Sequence, residues 1–285
     1  YKIASLENLE NFQAYVNSGG ETKGKYFSMM ERIQVKTSQK PWEPIGTQEH
    51  PFEGTFQGVA DSSKYLSLYS TYLLEGAEAA LFGVNNGTIQ DLLVGNWGAG
   101  DDFRIGDSYK AARAAGIAIT NNGTISHCMV SCDVVAKEGA AGIAFENNGR
   151  IEDCQVGRGP GSSIMAVHGK IQSSYRNSIS PEPYGGIVGN NNASGTIVNC
   201  KNYLQVGFAG NYSGGTIGRI GGIAGYNAGT IENCENRANV YAYALEDVYN
   251  DEEHRVGLGG IVGVQRATGI LKDCFSAANI TRISQ

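Results

Sequence analysis

The sequence predicts an all-β chain: a right-handed parallel β-solenoid preceded by an N-terminal cap that contains a helix. Three observations lead there. Short apolar pulses recur in six similar units, glycine recurs at constant places within them, and in five of the six units a cysteine stands five residues after the turn glycine. The 285 residues include 40 Gly but only 6 Pro, and the glycines follow the repeat rather than a three-residue collagen period.

Residues 1–75 lack the repeat and are read as the cap. Ser5 is placed to N-cap a helix over about 6–16, with Leu6, Leu9, Phe12 and Val16 at helical spacing and Asn17-Ser18-Gly19-Gly20 ending it. Extended segments are expected around Tyr26–Val35 and Tyr65–Tyr69, separated by Trp42–Gly46 and Phe52–Gly58. A solenoid end exposes strand edges and an open core, so this region is expected to close it.

Residues 76–285 form the repeats. Their first pulses begin at Ala80-Leu81-Phe82-Gly83, Gly116-Ile117-Ala118-Ile119, Gly142-Ile143-Ala144-Phe145, Gly186-Ile187-Val188-Gly189, Gly222-Ile223-Ala224-Gly225 and Gly260-Ile261-Val262-Gly263. An Asn/Gly-type turn and a second pulse follow, as in Asn122-Gly123-Thr124-Ile125. A third pulse centres on Val134, Val206, Val240 and Ile280, which suggests three short strands per coil. Two inward ladders result: Leu81, Ile117, Ile143, Ile187, Ile223, Ile261, and Ile89, Ile125, Ile151, Ile197, Ile231, Leu271. The row Phe82, Ala118, Ala144, Val188, Ala224, Val262 is placed by strand alternation on the opposite face, where something must cover it.

The glycines are assigned to corners, for positive φ or close backbone approach. Asp91, His127, Asp153, Asn199, Asn233 and Asp273 precede the cysteine position and are assigned to a left-handed bend. The row Leu92, Cys128, Cys154, Cys200, Cys234, Cys274 is then a structural ladder of buried thiols, since Leu in the first unit marks the position as apolar. Disulfides between neighbouring coils are the rival reading, and the absence of any C-x-x-C pair leaves zinc unsupported.

Function is harder to read. With 22 basic and 28 acidic residues the net charge is −6, which argues against a nucleic-acid partner. No apolar run approaches a membrane span, so no membrane insertion is expected, and no leader precedes Tyr1, as in a mature product or an excised piece. The repeats run to the last residues without a closing element, so further domains of the same polypeptide are expected. The four histidines lack ligand spacing, and there is no nucleophile elbow, phosphate loop or dinucleotide fingerprint. No cofactor, no metal and no catalytic residue is assigned. Asp247, Asp251 and Glu252 are the weak calcium candidates, and Asp101-Asp102 and Glu246-Asp247 with Asp251-Glu252-Glu253 are the carboxylates from which a polysaccharide-cleaving pair would have to come. Tyr203, Tyr212, Tyr241, Tyr243 and Tyr249 fall in or beside the last two insertions and are the candidate ligand-binding residues, with Tyr175, Tyr184 and Tyr226 nearby.

Gly221-Gly222-Ile223-Ala224-Gly225-Tyr226-Asn227-Ala228-Gly229-Thr230-Ile231-Glu232-Asn233-Cys234, with the units Gly185–Cys200 and Gly259–Cys274, resembles the GLUG repeat of bacterial cell-surface proteins. The early units depart from that pattern, with Ile119 and Phe145 in place of glycine and Leu92 in place of Cys. The resemblance implies a large secreted or wall-anchored, adhesin-like protein, a class that includes segments of immunoglobulin A peptidases, and no catalytic set within the repeats. On that basis the chain is expected to be a non-catalytic, surface-exposed adhesin, binding module or stalk with a host glycan or protein as partner. The alternative is an accessory segment of a large secreted protease or glycosidase.

Overall fold

The computed structural model describes residues 1–36, 41–59, 66–69, 77–95, 104–106, 110–136, 138–157, 170–172, 182–207, 218–243 and 257–283. They form a parallel β-solenoid of six stacked coils. Each coil visits five sheets in turn, numbered here in that order. Coil two shows the plan: Ala111–Ala115, Ala118–Asn121, Thr124–Ser126, Met129–Ser131 and Asp133–Val135. Five strands per coil replace the three expected from the apolar pulses. In coils one to three the first strand is built mostly of Ala, and in coils four to six it keeps one large apolar residue beside Gly, so it carries little β signal. The fourth is two or three residues long and begins directly after the corner.

Register is one-to-one from coil to coil except between the first strands of coils one and two, where it shifts by one residue between Ala111 and Arg113. Ile125 pairs with Ile89 and Ile151, and Ile197 with Ile151 and Ile231. Both isoleucine ladders are buried through coil five. The corner after the third strand is made by Asp91, His127, Asp153, Asn199, Asn233 and Asp273, all with φ between 50° and 55°. They are the only non-glycine residues of positive φ among those described. That bend turns the chain so that the Ile before it and the Cys after it both face inward.

Two expectations change. The row Phe82, Ala118, Ala144, Val188, Ala224 lies in the main core, fully buried, rather than on an outer face. The reason is a bend at the Gly–Ile pair. The amides of Ile117 and Ala118 both donate to the Ile143 carbonyl, at 3.0 and 3.1 Å, so one residue ends a sheet, the next begins another, and both point in. The outward row is one position later, where Ile119 and Phe145 form a small separate cluster with Ala80 and Ala115. The motif glycines, moreover, do not supply positive φ. They allow close stacking: a Cβ on Gly142 would sit 2.0 Å from the Gly186 carbonyl oxygen, and one on Gly186 1.9 Å from that of Gly222.

The two ends differ. At the N-terminal end, helix α1 (Leu6–Asn17) is capped by Ser5, whose hydroxyl accepts from the Asn8 amide, and it buries Leu9, Phe12 and Val16. Phe12 lies 4.5 Å from Phe27 and 5.8 Å from both Phe52 and Phe56, ring centre to ring centre. Segments Tyr26–Met29 and Thr55–Gln57 extend the third sheet in parallel to the strand Thr88–Gln90, carrying the stack into the helix-bearing region. At the other end, Leu271 and Ile280 of coil six are 47% and 51% exposed, whereas Ile125, Ile151, Ile197 and Ile231 in the row of Leu271, and Val134, Val206 and Val240 in that of Ile280, are fully buried.

Candidate binding surface

Three features of the coil define what its surface can do. The first is a polar spine inside the wall. Asn85, Asn121, Asn147, Asn191 and Asn227 are all buried, and the Nδ2 of each donates to the side-chain oxygen of the next at 2.8–3.0 Å, the last to Gln265 Oε1. Carbonyls of the adjoining turns accept from the same amides, as Gly123 and Arg150 do from Asn121 at 3.3 Å. The asparagines preceding the turn glycines carried this signal in the sequence, where they read only as turn residues. Buried amides held on both sides are structural.

The second feature is the thiol row. Cys128, Cys154, Cys200 and Cys234 are buried, Cys274 is half-buried in the outermost coil, and all six cysteines of the chain are free. Each Sγ of the row donates to the carbonyl two residues earlier at 3.2–3.3 Å. Burial pushes the Cys132, Cys154 and Cys200 thiols well up, and Cys234 is raised chiefly by its hydrogen bond with Cys200, against a lowering by Cys274 and with burial adding to the rise. Such thiols stay protonated and inert at neutral pH.

The third feature is where the wall carries chemistry outward. The long insertions fall between Gly95 and Arg104, Val156 and Lys170, Gln172 and Glu182, Val206 and Gly218, and Tyr243 and Gly257. Each of these connections begins or ends at a strand of the fifth sheet. Tyr203, just before such a strand, and Tyr241, within one, are half-buried, and the Tyr241 hydroxyl accepts from Asn239 Nδ2 at 3.0 Å. Tyr243 ends the strand Val240–Tyr243. Tyr175, Tyr212, Tyr249, Asp101, Asp102 and the calcium candidates Asp247, Asp251 and Glu252 lie outside the described residues. Tyr184 is a core residue at 1% exposure, packed in the row Ala140, Tyr184, Ile220 of the first sheet. Among the described residues no cluster of His, Cys, Asp or Glu is arranged to hold a metal ion.

Charged residues of the first and second sheets lie beside aromatic rings of the second. Arg113 lies over the Phe145 ring at 5.2 Å and pairs with Glu78 at 3.7 Å. Burial pushes the Glu78 carboxyl up, against the opposing pull of Arg113. Glu146 accepts from Asn190 and Asn192 at 2.7 and 3.0 Å. Further along, Arg219 lies 5.1 Å and Arg266 5.6 Å from the centre of the Tyr226 ring, and Arg266 Nε donates to the Tyr226 hydroxyl at 2.5 Å. A groove of about 470 Å³ opens there between the turns of coils five and six. Arg266 was legible as a departure from the repeat. It stands where Asn86, Asn122, Asn148 and Asn192 make an exposed amide ladder in earlier coils.

No protein-family model matches the chain, so the GLUG resemblance rests on the residues quoted above, and no curated protein matches it in sequence. The fold is similar to that of a "putative immunoglobulin A1 protease" from Bacteroides ovatus. The TM-score is 0.61 over 99% of this chain and 77% of that one, at 15% identity. At that identity the likeness is one of fold.

Proposed function

We propose that this chain is a non-catalytic β-solenoid segment of a larger secreted or surface-exposed bacterial protein, serving as a rigid binding module or stalk. The observation that carries the reading is a regular wall whose turn asparagines are hydrogen-bonded from coil to coil and whose cysteines are free, nearly all of them buried. The long insertions each begin or end at a strand of the fifth sheet, so a scaffold that does not itself react carries its variable segments at one repeated place in the coil. The shared fold with a chain described as an immunoglobulin A1 protease favours a second version, an accessory segment that presents a protease domain to its substrate.

The test is a glycan and host-protein array probed with the intact chain and with a variant whose 208–217 and 244–256 insertions are replaced by short Gly/Ser links. Binding that disappears in the variant while the thermal midpoint holds supports a module. Cleavage of arrayed polysaccharides or of immunoglobulin A by the chain alone overturns the non-catalytic reading.

A further inference from the structure

The sequence holds three Asn-Gly pairs, Asn86-Gly87, Asn122-Gly123 and Asn148-Gly149. The stack sets them above one another in the turn after the second strand of coils one, two and three. An asparagine followed by glycine readily loses its side-chain amide, because no Cβ on the next residue hinders the approach of that residue's nitrogen. The fold treats the three pairs unequally. Asn122 Nδ2 donates to Asn86 Oδ1, Asn148 Nδ2 to Asn122 Oδ1 and Asn192 Nδ2 to Asn148 Oδ1, each at 2.8 Å. Asn122 and Asn148 are thereby held through both atoms of the amide. Asn86 opens the row: it is exposed, it accepts, and no described group takes a hydrogen bond from its Nδ2. The attacking nitrogen differs as well. The Gly123 and Gly149 amides donate to the Asn85 and Asn121 carbonyls of the preceding coil, both at 3.1 Å, whereas the Gly87 amide donates to a side chain of its own turn, Asn85 Oδ1, at 3.1 Å.

We propose that Asn86 is the site at which this chain deamidates, and that the amide row guards the two pairs above it. The Gly87 nitrogen bonds to Asn86 Cγ, the Cγ–Nδ2 bond breaks, and Nδ2 leaves as ammonia, taking up a proton in place of the one Gly87 gives to solvent. Water then opens the cyclic imide, at Cγ to give aspartate or at the main-chain carbonyl to give isoaspartate. In sum one water is consumed and one ammonia released. To bring Cγ to the nitrogen the side chain must leave the row, which breaks one hydrogen bond at Asn86 and two at Asn122 or Asn148. The turn also joins the first coil to the cap, through Asn86 N to the Phe52 carbonyl at 2.7 Å and Thr88 N to the Gly54 carbonyl at 2.8 Å. The extra main-chain carbon of isoaspartate falls between those two bonds.

The three pairs lie in separate tryptic peptides, 65–104, 114–137 and 138–150, so mass spectrometry of the full chain aged in warm, mildly alkaline buffer reads each conversion by itself. In the folded chain Asn86 is expected to convert about fivefold or more faster than Asn122 or Asn148, and in guanidinium chloride, where the row is gone, the three rates are expected to converge. Asn148→Ala removes the donor to Asn122 Oδ1 and should speed conversion at Asn122 about fivefold. Should that variant fail to fold, the comparison of folded and denatured parent still decides. Equal rates in the folded chain, fastest conversion at Asn122 or Asn148, the same spread of rates persisting in denaturant, or an unchanged Asn122 rate in folded Asn148→Ala each overturns the proposal.

Discussion

Raising the pH should unfold this protein through its thiols. Cys132, Cys154, Cys200 and Cys234 are at most 2% exposed, and each holds its proton well above the ordinary value near 9. The unfolded chain releases those protons near pH 9 and the folded chain does not. Stability is therefore intact below about pH 8 and falls as pH rises past 9, toward the raised folded values. At pH 10 each thiol costs about 1.4 kcal/mol, and the four together roughly 5 kcal/mol, a large part of a typical folding free energy. The assay is urea unfolding under reducing conditions at pH 8 and pH 10, on the parent and on Cys200→Ala. The variant lacks one titrating group, so its loss across the interval should be smaller by about 1.4 kcal/mol. Equal losses in the two proteins would refute the assignment of the effect to buried protonated thiols.

Three other changes probe the wall. Asn147→Ala removes the acceptor of Asn121 Nδ2 and the donor to Asn191 Oδ1 inside a buried ladder, and should cost about 2–3 kcal/mol by urea titration; a loss below half a kcal/mol would show that the ladder is not an energetic unit. Gly142→Ala drives a methyl to 2.0 Å from a backbone oxygen of the next coil and should abolish soluble folding or cost about 3 kcal/mol or more. Gly24→Ala is its control, with nothing within 4 Å and only the strain of φ +71° to pay, about 1 kcal/mol. Asp91 sits at φ 54°, so Asp91→Gly should be neutral or slightly stabilising and Asp91→Val should cost about 2 kcal/mol in thermal or urea midpoints.

Much of the architecture was legible because the coil repeats. Aligning the units put Ile125 over Ile151 and Cys154 over Cys200, and residue chemistry placed Asp153 and Asn199 in the left-handed region before any coordinates did. The Ala and Gly strands of the first sheet went unseen because small residues form strands here by tertiary pairing rather than propensity. The row from Phe82 to Ala224 was assigned to the wrong face because alternation assumes an unbroken strand, and the chain bends at the Gly–Ile pair. Of the candidate site, Tyr203 and Tyr241 lie beside the insertions, Tyr184 is core, and Tyr226 is flanked by Arg219 of its own coil and by Arg266 forty residues on.

The amino-acid sequence by itself determined the solenoid, its register and its corners, because each depends on residues a constant distance apart in one coil and repeated in the next. Only the tertiary structure decided that the turn asparagines form a buried amide spine. It also decided that Arg219 and Arg266 both lie against the Tyr226 ring. Those contacts join different coils and different sheets, and their geometry depends on how the chain turns at each corner, which no single unit records.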